Sequence, residues 1–224
     1  MEQPTTLKRL ESLWENKQRF LRFQITEPWT SFRLRRAYDL RMLTRSDVRI
    51  MVPAGQTPAC ALCRDVCCRG VRNTVTLRLR DLAAFVDLGL TSAISYDAPY
   101  VPRKAQTPAM SEFLGSELWR RFPKLKQTES GACCFLETNN RCAIFDHAPL
   151  ACQRFPFALS PDRKTVFYSP RCLSHSMSDL NERAYQRHID AVLTNYNEMI
   201  KDLVLLSHGW RELTMLGLAR FISR

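Results

Sequence analysis

Glycine is scarce in this chain. Seven glycines are scattered through 224 residues, and none falls into a G-x-G-x-x-G or G-x-x-x-x-G-K-[ST] pattern. Both patterns bring backbone close to a phosphate, which only glycine permits, so a dinucleotide turn and a phosphate loop are excluded. Long apolar runs are missing too. No stretch approaches 18 consecutive apolar residues, so no membrane span is expected. The opening MEQPTTLKRL holds no apolar segment of the signal-peptide kind, and a cytoplasmic location is the expectation. Acidic residues are in deficit, with 22 Asp and Glu against 33 Lys and Arg, a formal charge of +11. Such a balance suits acidic partners: nucleic acid, an acidic protein face or an anionic membrane surface. There are no repeats and no low-complexity tract.

Cysteine, by contrast, is abundant and bunched. Nine are present. The first bunch reads Cys60-Ala-Leu-Cys63-Arg-Asp-Val-Cys67-Cys68, and the second reads Cys133-Cys134, Cys142 and Cys152, with Cys172 standing alone downstream. In a reducing compartment, clustered thiols serve more often as metal ligands than as disulfides, and an odd count fits a closed disulfide framework poorly. Thiolates are the soft donors that zinc and iron–sulfur clusters take, and short C-x2-4-C steps let one loop offer two of them to one metal. Adjacent side chains diverge, so one of each vicinal pair is expected to ligate while the other packs as a small apolar group. The resulting candidates are Cys60, Cys63, either Cys67 or Cys68, Cys134, Cys142, Cys152 and Cys172, with Cys133 set aside. His147 and His175 lie beside them and read as ordinary loop histidines, because thiolates already exceed what one site needs. No catalytic constellation is readable.

Periodicity places these residues on elements. Leu7, Leu10, Trp14 and Leu21 predict an amphipathic helix over residues 7–23. An arginine-rich helix is expected over 31–43, and an alternating strand over 71–77. A helix over 78–88 should end at Gly89 as C′ residue. Another is expected over 111–121, between Ser111 and Pro123. Glu137-Thr-Asn-Asn140 predicts a tight hairpin that brings Cys134 and Cys142 near each other. Pro149 suits the start of a short helix carrying Cys152. Ser160-Pro161-Asp162-Arg163 predicts a second hairpin, between strands 157–159 and 165–168. The longest helix follows a Ser178 cap, with Tyr185, Ile189, Val192, Tyr196, Ile200 and Leu203 as its apolar stripe, and a last helix covers 210–222.

The order of motifs resembles the YkgJ-type cysteine-cluster proteins, a zinc- or iron-chelating family. The resemblance covers about residues 58–174. It rests on Cys60-x2-Cys63-x3-Cys67-Cys68, Val75-Thr76-Leu77 with Asp81, Cys134-Phe135-Leu136, Cys142-Ala143-Ile144-Phe145, Pro149, Cys152-x2-Phe155-Pro156-Phe157 and Cys172. Two family arginines are replaced here, by Ala148 and by Gln153. The resemblance implies that Cys60, Cys63, Cys67, Cys68, Cys134, Cys142, Cys152 and Cys172 hold Zn2+ or an iron–sulfur cluster. Kinship with flagellin lysine N-methylases, which look like iron–sulfur proteins, favours a [4Fe–4S] cluster.

The expected fold is α+β: a small irregular metal-centred core with short β-hairpins, flanked by N-terminal helices and a long C-terminal helix. Residues 1–52 form the N-terminal helical segment, 53–176 the cysteine-cluster metal-binding domain, and 177–224 a C-terminal helical segment packed on the core. Three functions fit the sequence. The first is a metal-binding module with a structural or redox-sensing site, engaging another protein through its flanking helices. The second, by analogy with the family, is a protein-lysine methyltransferase-like enzyme, against which stands the missing glycine-rich cofactor loop. The third is a basic nucleic-acid binder using the arginines between Arg33 and Arg41 together with Arg78 and Arg80.

Overall fold

Short strands and helices of unequal length give an α+β architecture in a computed structural model that describes residues 5–21, 41–51, 56–57, 68–69, 75–95, 123–168, 176–177 and 182–222. In chain order the elements are α1 (Thr6–Lys17), β1 (Arg49–Met51), β2 (Gln56–Thr57), α2 (Leu79–Asp87), β3 (Ile94–Ser95) and β4 (Lys124–Leu125). There follow α3 (Leu150–Gln153), β5 (Phe157–Leu159), β6 (Thr165–Tyr168), β7 (Ser176–Met177), α4 (Glu182–His208) and α5 (Trp210–Met215). Contacts divide the chain into two compact units. The first comprises Met1–Met42, Thr76–Leu125 and Glu198–Arg224; the second comprises Leu43–Val75 and Lys126–Asn197.

In the first unit, α1 begins with Thr5, whose side chain accepts the Lys8 N–H. Its next free amides, Thr6 and Leu7, donate to the Asp87 carboxylate at 2.8 and 3.0 Å. A carboxylate at the last turn of α2 thus caps the first turn of α1. Leu10 and Leu13 are buried on the inner face of α1. Helix α2 starts with the Arg78 N–H donating to Asp81, and buries Leu79, Leu82, Ala83 and Phe85. It ends as expected: Gly89 takes a left-handed φ of 71°, and the Leu90 N–H reaches back to the Phe85 carbonyl.

The part of α4 in this unit buries Ile200, Leu203, Val204, Leu205 and Leu206, and with them Asp202. Asp202 accepts the Leu79 N–H at 3.3 Å and faces Arg78 at 3.7 Å. Burial pushes its carboxyl well above the ordinary range, while the Arg78 charge pulls the other way.

In the second unit, β5 and β6 form the expected hairpin, with Phe157 opposite Tyr168 and Leu159 opposite Val166. The Arg163 N–H closes its turn on the Ser160 carbonyl. Strand β1 joins β6 in parallel, and β2 pairs with β7 antiparallel, Thr57 opposite Ser176. Val48, Phe157 and Val166 pack against Tyr185, Ile189, Val192 and Leu193 of α4. Phe157 meets Tyr168 and Tyr185 edge-on, at centroid distances of 5.5 and 5.1 Å. Asn197 holds the entering chain by accepting the Leu43 N–H and donating to the Leu43 carbonyl.

The whole stripe expected on the longest helix is buried, from Tyr185 to Leu203. Other expectations fared differently. The helix over 7–23 ends at Lys17 and tightens into a 3-10 turn, Gln18–Leu21. Residues 41–43 are not helical, and the rest of 31–43 lies outside the described residues. Of the strand over 71–77, 71–74 lie outside the described residues, and Thr76 makes only an isolated bridge to Lys124. The helix over 111–121 and the Ser178 cap also lie outside them. The last helix stops at Met215 rather than 222, because Gly217 turns left-handed with φ 72° and a 3-10 turn, Ala219–Phe221, follows.

Two stability predictions follow from these contacts. Desolvation opposes ionisation of Asp87, but the Leu7 and Thr6 amides hold its carboxyl below the ordinary range. A depressed folded-state value means stability that is present above the unfolded value and lost as pH falls through the folded one. Asp87→Ala should therefore cost about 1 kcal/mol at pH 7, and the gap from wild type should close below the ordinary carboxylate range. Denaturant melts at pH 7 and pH 3 check this. Phe157→Ala should cost about 3–5 kcal/mol by emptying the second unit's core, read from the same melts.

Candidate metal centre

Three cysteines open the same kind of turn. The carbonyl of Cys133 accepts the Leu136 N–H at 3.0 Å, that of Cys142 the Phe145 N–H at 3.2 Å, and that of Cys152 the Phe155 N–H at 3.1 Å. In the first two the sulfur is engaged as well: Cys133 accepts the N–H of Phe135, and Cys142 that of Ile144. Each backbone thus folds round its cysteine and aims an amide proton at the sulfur two residues back. An N–H donated to sulfur favours the thiolate, the form that binds metal.

A small hairpin joins the two turns. Leu136 bridges Cys142, the Glu137 N–H donates to the Arg141 carbonyl, and Asn140 takes a left-handed φ of 64°. Asparagine tolerates this conformation, as the sequence suggested. The Ala143 N–H returns to the Phe135 carbonyl at 2.9 Å, so the turns sit side by side. Cys68 joins them through its carbonyl, which accepts the Cys133 N–H at 2.8 Å. Next to it Arg69 bridges Ala132 and donates to the Asn140 side chain at 2.8 Å.

The electrostatics follow this arrangement. Burial pushes the Cys133 thiol up, the Phe135 amide opposes it, and charge on Cys68 adds to it. Burial likewise pushes Cys142 up against the Ile144 amide, with Cys68 and Cys133 adding to it. Cys68, Cys133 and Cys142 therefore lie within one another's field. Like charges there disfavour ionisation in the metal-free protein, and a bound cation relieves the repulsion.

Cys134 differs. It is exposed, though crowded enough at sulfur that burial, followed by the neighbouring Cys133, pushes its thiol up to about 11. The hairpin thus brings Cys133 into the field of Cys142. A sequence signal for this exists. Cys133-Cys134-Phe135-Leu136 and Cys142-Ala143-Ile144-Phe145 share a frame of cysteine, any residue and two apolar residues, and that frame begins at Cys133.

Cys152 sits half-buried in α3. Ala148 and Gln153 touch each other here: the Gln153 amide donates to the Ala148 carbonyl. The Gln153 carbonyl in turn meets His188 Nδ1 of α4 at 2.8 Å. Of the aromatics near the cysteines in sequence, Phe157 belongs to the core, and Phe145 is 62% exposed with Arg187 over its ring at 5.8 Å. His147 is exposed, and His175, Cys60, Cys63, Cys67 and Cys172 lie outside the described residues. Among the described residues, no three His, Cys, Asp or Glu side chains are close enough to hold a metal ion by themselves.

The donor chemistry nevertheless fits a soft metal. The described cysteines are all thiols outside disulfides, and amide protons are already aimed at two of the sulfurs. Zinc and iron both accept such donors.

No curated protein and no solved structure matches this chain. Residues 59–176, more than half of its 224 residues, match a cysteine-cluster family model. The paired Thr57 and Ser176 close the two ends of that stretch. The chain belongs to the CxxCxxCC family, described as a "putative zinc- or iron-chelating domain".

Proposed function

We propose that this chain is a metal-binding module whose cysteine turns hold an iron–sulfur centre, with Cys133 and Cys142 among the ligands. The observation that carries the reading is the repeated turn. Cys133 and Cys142 both receive an amide proton at sulfur from the residue two on, beside a third cysteine, Cys68. Hydrogen bonds to cluster sulfurs are a main control on the potential of iron–sulfur centres. A [4Fe–4S] cluster takes four thiolates as zinc does, so it is the resemblance to flagellin lysine N-methylases, and not the thiolate count, that favours the cluster. The role of the centre is structural or redox-sensing.

Anaerobic purification, followed by iron, sulfide and zinc analysis with a visible spectrum, tests the reading. Iron with acid-labile sulfide and a broad visible charge-transfer band are expected. Stoichiometric zinc without colour would replace the cluster by a zinc site, and a folded protein holding neither metal would end the metal reading altogether. Cys133→Ser and Cys142→Ser should each weaken metal retention by more than the roughly 10–100-fold that loss of an outer-shell partner costs. Cys134→Ser should retain metal as wild type does.

A further inference from the structure

We infer that His188 of α4 is a positioning residue of the metal centre, holding in place the short helix that presents Cys152. The part that concerns metal rests on the proposed function; the part that concerns the Cys152 thiol does not. Helix α3 has only four residues, Leu150–Gln153. So short a helix is not stable alone, and its last carbonyls find no partner within it. Three carbonyls here are met by nearby amides. That of Leu150 accepts the Arg154 N–H at 3.0 Å, that of Cys152 the Phe155 N–H at 3.1 Å, and that of Arg154 the Phe157 N–H at 2.8 Å. The Gln153 carbonyl, next to Cys152, meets instead His188 Nδ1 at 2.8 Å, 35 residues along the chain.

A carbonyl oxygen only accepts, so Nδ1 carries the ring proton. The ring is fixed on a second side as well. It stacks on Phe157, with 6.3 Å between centroids and 30° between planes. Phe157 is buried and meets Tyr185, three residues earlier on α4, edge-on. A donor locked in this way fixes the backbone it meets, as the outer-shell partners of metal ligands do.

The preceding residue reaches the other cysteine turn. The Arg187 guanidinium lies 5.8 Å from the centroid of the Phe145 ring, and the Phe145 N–H closes the Cys142 turn. One turn of α4 thus touches the segments that carry Cys142 and Cys152. Arg187 and His188 lie beyond residue 176, where the family match ends, so the centre is completed by a helix outside the matched stretch.

The test uses the full metal-loaded protein and two variants. His188→Leu keeps an apolar group against Phe157 and removes the donor. His188→Asn offers an amide nitrogen the same number of bonds from Cα as Nδ1, and so restores it. Release of bound metal to excess EDTA should show retention weakened about 10–100-fold in His188→Leu, the cost of losing an outer-shell partner. His188→Asn should stay close to wild type. Unchanged retention in His188→Leu would overturn the inference. So would equal loss in both variants, since the centre would then need the imidazole ring itself and not its Nδ1 donor.

A second measurement needs no metal. The metal-free proteins are alkylated with iodoacetamide, and tryptic cleavage after Arg141 and Arg154 releases peptide 142–154, which carries Cys142 and Cys152. Fragmentation of the peptide reads each thiol separately. Cys152 should react several-fold faster in His188→Leu than in wild type or His188→Asn, while Cys142 reacts at one rate in all three. Equal Cys152 rates in the three proteins would overturn the inference. If the wild-type protein proves to hold no metal, the proposed function falls, and the Cys152 rates still decide whether His188 positions that thiol.

Discussion

Burial of one face of α4 is the constraint on which the described structure depends. In the second unit Tyr185, Ile189, Val192 and Leu193 cover the β5–β6 hairpin through Phe157 and Val166. In the first, Ile200 and Leu203 to Leu206 fill the interior. Each buried aliphatic or aromatic side chain there contributes on the order of 1.5–3 kcal/mol, so this stripe outweighs any single polar contact. The polar contacts act afterwards. His188 on α4 meets the Gln153 carbonyl, and Phe157 donates its N–H to the Arg154 carbonyl, so the α3 segment that carries Cys152 is held by the helix and the strand behind it.

The cysteine turns follow a different rule. A thiol in a protein interior resists ionisation, and several together resist it more. The described residues answer with backbone amides: Phe135 for Cys133 and Ile144 for Cys142. These amides oppose burial without cancelling it, since both thiols stay above their ordinary value. Ala148 and Gln153 are joined by a local bond from the Gln153 amide to the Ala148 carbonyl.

Much of this was legible in advance. The α4 stripe, the Gly89 cap, the 137–140 turn and the Ser160–Arg163 hairpin all follow from spacing and turn chemistry, and each stands in the structure. Helix ends were less legible: the helix over 7–23 tightens into a 3-10 turn after Lys17, and Gly217 ends the last helix early. The domain family was legible as well, since its motifs are local and ordered.

The sequence by itself determined the donor type, the family and the amphipathic helices, because each depends on residue identity and short spacing. Only the tertiary structure brought Cys68 into the field of Cys133 and Cys142. The turn between Cys133 and Cys142 is local, but the amide of Cys133 on the carbonyl of Cys68 joins residues distant in sequence, and no local pattern encodes that contact.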